Sequence, residues 1–327
     1  MSWRFPSAML GLCLVCVAPG VRAQTPFANA QRDYNAGRYN RVVDTLNGEI
    51  AKSPNDAFPY FLLGESYYQL GDFTRAITDL ERAVQLSPNE SEYHDWLGKA
   101  YGRKAEQSMF LSAMSLARKT HKEFEIAVQL KPSNFEAQRD LIRYEVNAPA
   151  IVGGGDDKAL NHIRALAQLD PMQGELARGE FLATKKRLGE ADALFSKILE
   201  SQSDRIGVYF EVADYFRDRG NSAKMAEAVA DAEKIDSNDP RLKYYRGVLE
   251  VIQGRNASGA EMLLKSYLTT VPNNSSLPSH ASAREWLGKL YEFQGHFSEA
   301  AEQYRSSLSM DPHNKSVEDA LKRVESK

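Results

Sequence analysis

One pattern returns along this chain at a spacing of roughly 34 residues, and a chain built that way stacks similar units instead of wrapping one globular core. In residues 60–89, Leu63, Gly64, Tyr67, Gly71, Phe73, Ala76, Leu80, Ala83 and Pro88 occupy positions 7, 8, 11, 15, 17, 20, 24, 27 and 32 of a unit. Residues 284–314 place Leu287, Gly288, Tyr291, Gly295, Phe297, Ala300, Tyr304 and Pro312 at the same offsets, with Ser307 at position 27. Apolar positions 4, 7, 8 and 11, then 20, 24, 27 and 28, give each unit two stripes at helical spacing. Small residues at 8 and 20 let the two helices approach. Gly at 15 ends the first helix and Pro at 32 ends the second.

The pattern resembles the tetratricopeptide repeat, a helix, a tight turn and a second antiparallel helix. The resemblance implies an all-α fold: a right-handed superhelical α-solenoid of about eight such units. The step from Pro54 to Pro88 is one repeat length. Those from Pro88 to Pro132 and from Pro132 to Pro171 are longer, so units three and four carry insertions of about ten and about five residues. The expected spans are about 23–56, 57–90, 91–134, 135–171, 172–205, 206–239, 240–273 and 281–314. Three units depart from the pattern. Unit one has Asp33 at position 11, unit four has Ile142 where a small residue is usual, and unit five lacks Gly at 15 and Pro at 32. Residues 315–327 set Val317, Ala320, Leu321 and Val324 on an otherwise charged helix, as expected of a cap on the open end of the stack.

Residues 1–23 read differently. Arg4 precedes the apolar run Ala8 to Val17, and "APGVRA" follows it, which is the layout of a secretory signal peptide with cleavage expected after Ala23. The run is about half of the ~20 residues a membrane-spanning helix needs. Cys13 and Cys16, the two cysteines, both fall in it, so the mature chain is expected to have no disulfide, thiolate nucleophile or cysteine metal site. Leu12 and Val15 before them are not the small residues of a lipidation motif. Removing Arg4 and Arg22 from 41 basic residues leaves 39 against 44 acidic, a mature charge of −5. That balance argues against nucleic acid as a partner. A periplasmic or secreted protein is the expectation.

The stretch "APAIVGGGDDKAL", residues 148–160, invites a phosphate-loop reading. It has neither the Gly-Lys-Ser/Thr ending nor the preceding strand that such loops need. Asp156 and Asp157 suit the start of a helix and would repel a phosphate. The expectation is a lengthened inter-helix turn, with a ligand or enzymatic role for residues 153–157 as the weaker alternative. The unit-three insertion, residues 102–125, sets Met109, Phe110, Leu111, Met114 and Leu116 between Arg103 and Lys104 on one side and Arg118, Lys119 and Lys122 on the other. It reads either as two lengthened helices packing on each other or as a protruding element that self-associates or touches a surface. The six histidines are scattered along the chain with no close pair at ligand spacing, and no Gly-x-Ser-x-Gly elbow is present. No metal, cofactor or catalytic residue is expected.

In proteins that this chain resembles, the first helices line the concave face, and positions 2, 5, 9, 12 and 13 meet a peptide or partner helix. Those positions hold Phe27, Gln31, Tyr34 and Asn35 in unit one and Phe58, Phe61, Glu65, Tyr68 and Gln69 in unit two. Phe27, Phe58 and Phe61 could equally contact neighbouring helices. The carboxylate clamp of some cytosolic relatives does not match, since its positions are Phe27, Gln31, Leu62, Glu92 and Trp96 here. Toward the far end, Arg241, Tyr244, Val248, Val251 and Ile252 suggest a second, partly apolar face. The expected partner is another protein or peptide, with a homo-oligomer also open.

Overall fold

The computed structural model describes residues 26–273, 277–312 and 314–327. The expected signal peptide and both cysteines lie outside the described residues. Within them the chain forms seventeen α-helices, two 3-10 turns and no strand. The helices pair consecutively: α1 (Pro26–Asn35) with α2 (Tyr39–Glu49), α3 (Ala57–Gln69) with α4 (Phe73–Leu86), α5 (Ser91–Glu106) with α6 (Phe110–Leu130), and α7 (Phe135–Asn147) with α8 (Asp156–Leu169). Then follow α9 (Pro171–Thr184) with α10 (Leu188–Glu200), α11 (Ile206–Asp218) with α12 (Ser222–Ile235), α13 (Arg241–Gln253) with α14 (Ala257–Thr270), and α15 (His280–Phe293) with α16 (Phe297–Met310). The last, α17 (Lys315–Glu325), buries Val317, Ala320 and Val324 against the final pair.

Helix starts and turns follow local chemistry. Asp72, Asn134, Asn221, Asn256 and Asn314 each accept a hydrogen bond from the backbone N–H three residues on, which satisfies an otherwise orphaned donor. Repeat position 15 is left-handed: Gly37, Gly71, Gly220, Gly254 and Gly295 have φ between 62° and 79°. Unit five, which lacks the glycine, puts Lys186 there with φ 58° and keeps the same turn. Position 8 sets the distance between paired helices. A Cβ on Gly64 would overlap the Leu80 side chain, and one on Gly288 would overlap the Tyr304 ring, both at position 24. Asp33, the polar residue at an apolar position of unit one, is buried against Arg38 at 2.6 Å and Arg41 at 3.6 Å.

The insertions take definite forms. α5 and α6 run 16 and 21 residues, so residues 102–125 are a lengthened hairpin whose base buries Thr120, His121 and Phe124. Its tip leaves Met109, Phe110 and Leu111 at 86%, 75% and 80% exposed. The glycine loop connects α7 to α8 and is held by the Tyr144 hydroxyl, whose one hydrogen is within 2.7 Å donor–acceptor reach of both the Ala117 and the Val152 carbonyls. Any side chain at Gly154 would drive its Cβ into the Ala148 carbonyl.

The stack also meets itself. The Tyr39 hydroxyl donates to the Asn273 carbonyl, 234 residues away, and Gly37 packs so closely that a Cβ would lie 2.6 Å from the same oxygen. Arg103 and Asp311 face each other at 3.9 Å. Between these contacts lies a cleft of about 600 Å³, with Tyr68 and Phe73 on one wall and Leu277 and Met310 on the other.

Position 15 yields a direct test. Lys186 bears the steric cost of a left-handed residue that glycine avoids. Lys186→Gly is expected to raise unfolding free energy by about 0.5–1 kcal/mol in urea titration; a lower value would show that unit five closes differently.

Candidate partner-binding groove

The floor of the groove is built by the first helices of the central pairs. Lys99 on α5 sits 2.8 Å from Asp95, 2.5 Å from Glu136 and 3.1 Å from Asp140, with its ammonium 4.7 Å from the centre of the Trp96 ring. Three carboxylates this close could hold a cation, and the lysine ammonium already stands among them. Further along, Arg139 on α7 donates to Glu211 at 2.7 Å and also to Glu180, joining α7, α9 and α11. Arg217 meets Asp214 at 2.5 Å, and the Tyr245 hydroxyl donates to the other oxygen of Asp214 at 2.8 Å. Burial raises the carboxyls of Asp95, Glu211 and Asp214 above the ordinary range, and their cationic partners offset only part of that rise. Two clefts of about 720 and 490 Å³ open over this floor, sharing Arg139, Arg143 and Glu211.

The expected groove residues divide. Tyr68 and Gln69 line the larger cleft, and Tyr68 stands edge-on to Trp96 at 5.3 Å and to Phe73 at 5.4 Å. Tyr34, Phe61 and Glu65 are buried between helices: the Tyr34 hydroxyl donates to Glu65 at 3.2 Å, and Phe61 stacks on Tyr93 of α5 at 4.3 Å. Phe27 and Phe58 are half-buried against the same N-terminal core, so all three phenylalanines contact neighbouring helices. Gln31 donates to Asn35 at 3.0 Å on its own helix. At the far end Tyr244 and Val248 are buried, and the Tyr244 and Ser282 hydroxyls share a hydrogen bond of 2.7 Å. The middle units carry groove positions as well. The same offsets there fall on Asp95, Lys99, Glu136, Arg139, Glu180 and Asp214, which make part of the floor.

A second polar cluster lies under the glycine loop. His121 on α6 places Nε2 3.3 Å from Glu145 Oε1 and Nδ1 3.5 Å from Glu125 Oε2, and His162 on α8 places Nε2 3.6 Å from the same Glu145 oxygen. Burial lifts the Glu145 carboxyl to about 7 and lowers both imidazoles. The histidines that look unrelated in sequence therefore converge on one carboxylate.

The helix pairs, the left-handed glycine turn and the close contact between positions 8 and 24 are the geometry of one family. Residues 64–104 match the model described as "TPR repeat", and residues 281–314 match that described as "Tetratricopeptide repeat". The chain contains tetratricopeptide repeats. Among solved structures, a tetratricopeptide repeat protein from Parabacteroides merdae aligns with TM-score 0.49 and 18% identity over 88% of this chain and 98% of its own. A thermophilic TPR protein in Thermus thermophilus aligns with TM-score 0.46 and 19% identity over 58% and 97%. The C-terminal part of a TPR repeat-containing protein from Cytophaga hutchinsonii gives 0.42 and 19% over 90% and 99%. No curated protein matches the chain. Tetratricopeptide repeats are protein-interaction modules, and no described helix is long and apolar enough to cross a membrane.

Glu65, buried beneath the groove between α1 and α3, gives the fold a testable pH dependence. Burial, then repulsion from Glu92, raises its carboxyl from the ordinary 4.5 to about 8. The native state thus holds a proton that the unfolded chain releases near 4.5, so this group costs stability increasingly as pH rises from about 4.5 to 8. Glu65→Gln, which keeps an acceptor for Tyr34, is expected to exceed the native chain in stability at pH 8 by on the order of a few kcal/mol. The difference should vanish toward pH 4. Equal stability at both pH values in paired denaturant titrations would show that Glu65 is ionised in the fold.

Proposed function

We propose that this repeat protein is a non-catalytic scaffold of the bacterial cell envelope that holds an extended segment of another protein in its concave groove. The observation that carries the reading is the state of the floor. Among the described residues, Asp95 Oδ1, Arg139 Nε and Glu211 Oε2 are buried with no hydrogen-bond partner. Such atoms typically cost about 1–3 kcal/mol each, so the floor is a polar surface kept at some cost to the fold, and beside it the solvent-facing Gln69, Glu136 and Arg143 line the larger cleft as complements for the amides and carbonyls of an incoming backbone. Tyr68 and Trp96 supply aromatic surface for an apolar side chain beside them, the arrangement that concentrates binding energy in a few anchors. The envelope setting is supported by the N-terminal apolar run and the small residues that follow it.

Affinity capture from envelope extracts tests this. Tyr68→Ala and Arg139→Ala, each checked for folding by circular dichroism, should lose at least about tenfold in recovered partner, the loss of a typical anchor. If both folded variants recover every partner as the native chain does, the groove reading fails.

A second reading rests on the hairpin tip, where three consecutive large apolar residues meet solvent. On this reading the chain self-associates or tethers to a surface through residues 102–125. Phe110→Ser combined with Leu111→Ser should then reduce native mass by light scattering or binding to anionic vesicles, at unchanged melting temperature. No change in either measurement removes this role.

A further inference from the structure

We propose that His121, Glu145 and His162 form a binding site for one divalent transition-metal ion of the zinc class, with Glu125 orienting His121 from behind. Three helices contribute, α6, α7 and α8, and none of the three residues lines the two clefts over the groove floor. The donor set is two imidazoles and one carboxylate, a combination that suits zinc and its first-row neighbours and leaves a coordination position open.

The geometry centres on one oxygen. Two ligands at 2.0–2.1 Å from a tetrahedral ion sit roughly 3.3 Å apart. Glu145 Oε1 lies 3.3 Å from His121 Nε2 and 3.6 Å from His162 Nε2. The opposite nitrogen of His121 faces Glu125 at 3.5 Å, one helical turn on, which is the carboxylate–histidine–metal relay that fixes the tautomer of a ligating imidazole. In this structure the Nε2 atoms of His121 and His162 stand more than 4.8 Å apart. His162 must therefore turn toward His121, and the nearby Lys158 ammonium must stay on the Gly153 carbonyl, to complete the set. The His162 side chain is 31% exposed, which gives it the freedom to do so and offers the ion a way in.

Burial gives an independent reason. Glu145 is 1% exposed, and its Oε2 has no hydrogen-bond partner among the described residues. Buried carboxylates are normally paired or bound to metal. Lys158 acts on Glu145 only through its field, because its ammonium is directed to the Gly153 carbonyl at 3.1 Å. The loop itself belongs to the site: Gly153 packs flat on the His121 ring, where a Cβ would come within 2.7 Å. The lengthened α6 carries His121 and Glu125 and the glycine loop roofs them, so the two insertions serve one place.

The test uses the mature chain without an affinity tag, stripped with chelator and dialysed. Calorimetric titration with Zn2+ should give one ion per chain in the micromolar range or tighter, and Co2+ should give the intense visible absorption of a tetrahedral site. His162→Ala and Glu145→Gln should each weaken binding at least about 100-fold, and Glu125→Gln about tenfold, as outer partners do. Asp140→Asn, in the acidic cluster around Lys99, should leave binding unchanged. His162 is part-exposed, so its variant should stay folded, checked by circular dichroism. Absence of saturable Zn2+ binding, or binding that survives both ligand variants, overturns the proposal, as does loss confined to Asp140→Asn.

Discussion

The rest of this molecule depends on how closely two helices of a pair approach, and in four of the pairs that is set by the contact between a glycine at position 8 and the side chain at position 24. Gly64 on Leu80 and Gly288 on Tyr304 leave no room for a methyl group. Gly98 and Gly179 repeat the contact with Phe124 and Phe195, even though the first lies in the lengthened unit and the second in the unit that lost its turn glycine. Interiors packed at crystal-like density transmit such constraints from one layer to the next. The first helices therefore stand side by side, and their outward positions form a continuous floor.

On that floor, the paired charges add little net stability. The Lys99 and Arg139 networks bring several carboxylates and their cations out of water, a process whose desolvation cost offsets much of the attraction. Hydrophobic residues of similar volume would hold the helices at least as well. What the ion pairs add is a surface with fixed donors and acceptors, the feature by which the proposed groove would reject segments that present the wrong pattern. The contact of Tyr39 with Asn273 brings the two ends of the stack together, so this surface is curved around a space and not spread along an open trough.

Much was legible from residues alone because repeat chemistry is local. The helix pairs, the turn glycines and the role of the glycine loop as an inter-helix connection all follow from offsets within one unit. Phe61 shows where that reasoning stops: its position faces the groove in related repeats, yet Tyr93 of the next pair covers it. Part of the floor, Asp95, Lys99, Glu136, Arg139, Glu180 and Asp214, was within reach of the same offsets extended to the middle units, whereas Trp96, Asp140 and Glu211 fall at position 6, outside them. The cluster of His121, Glu145 and His162 was not, since its members follow one another at neither a helical nor a repeat spacing.

The sequence by itself determined which segments are helices, where each pair turns and which face of each is apolar, because these depend on neighbours a few bonds or one turn away. Only the tertiary structure decided which side chains from different units meet: Tyr39 with Asn273, Arg139 with Glu180 and Glu211, and two histidines on one buried glutamate. Such meetings are set by the small rotation between successive pairs, accumulated along the stack and altered by each insertion. No local pattern encodes that sum.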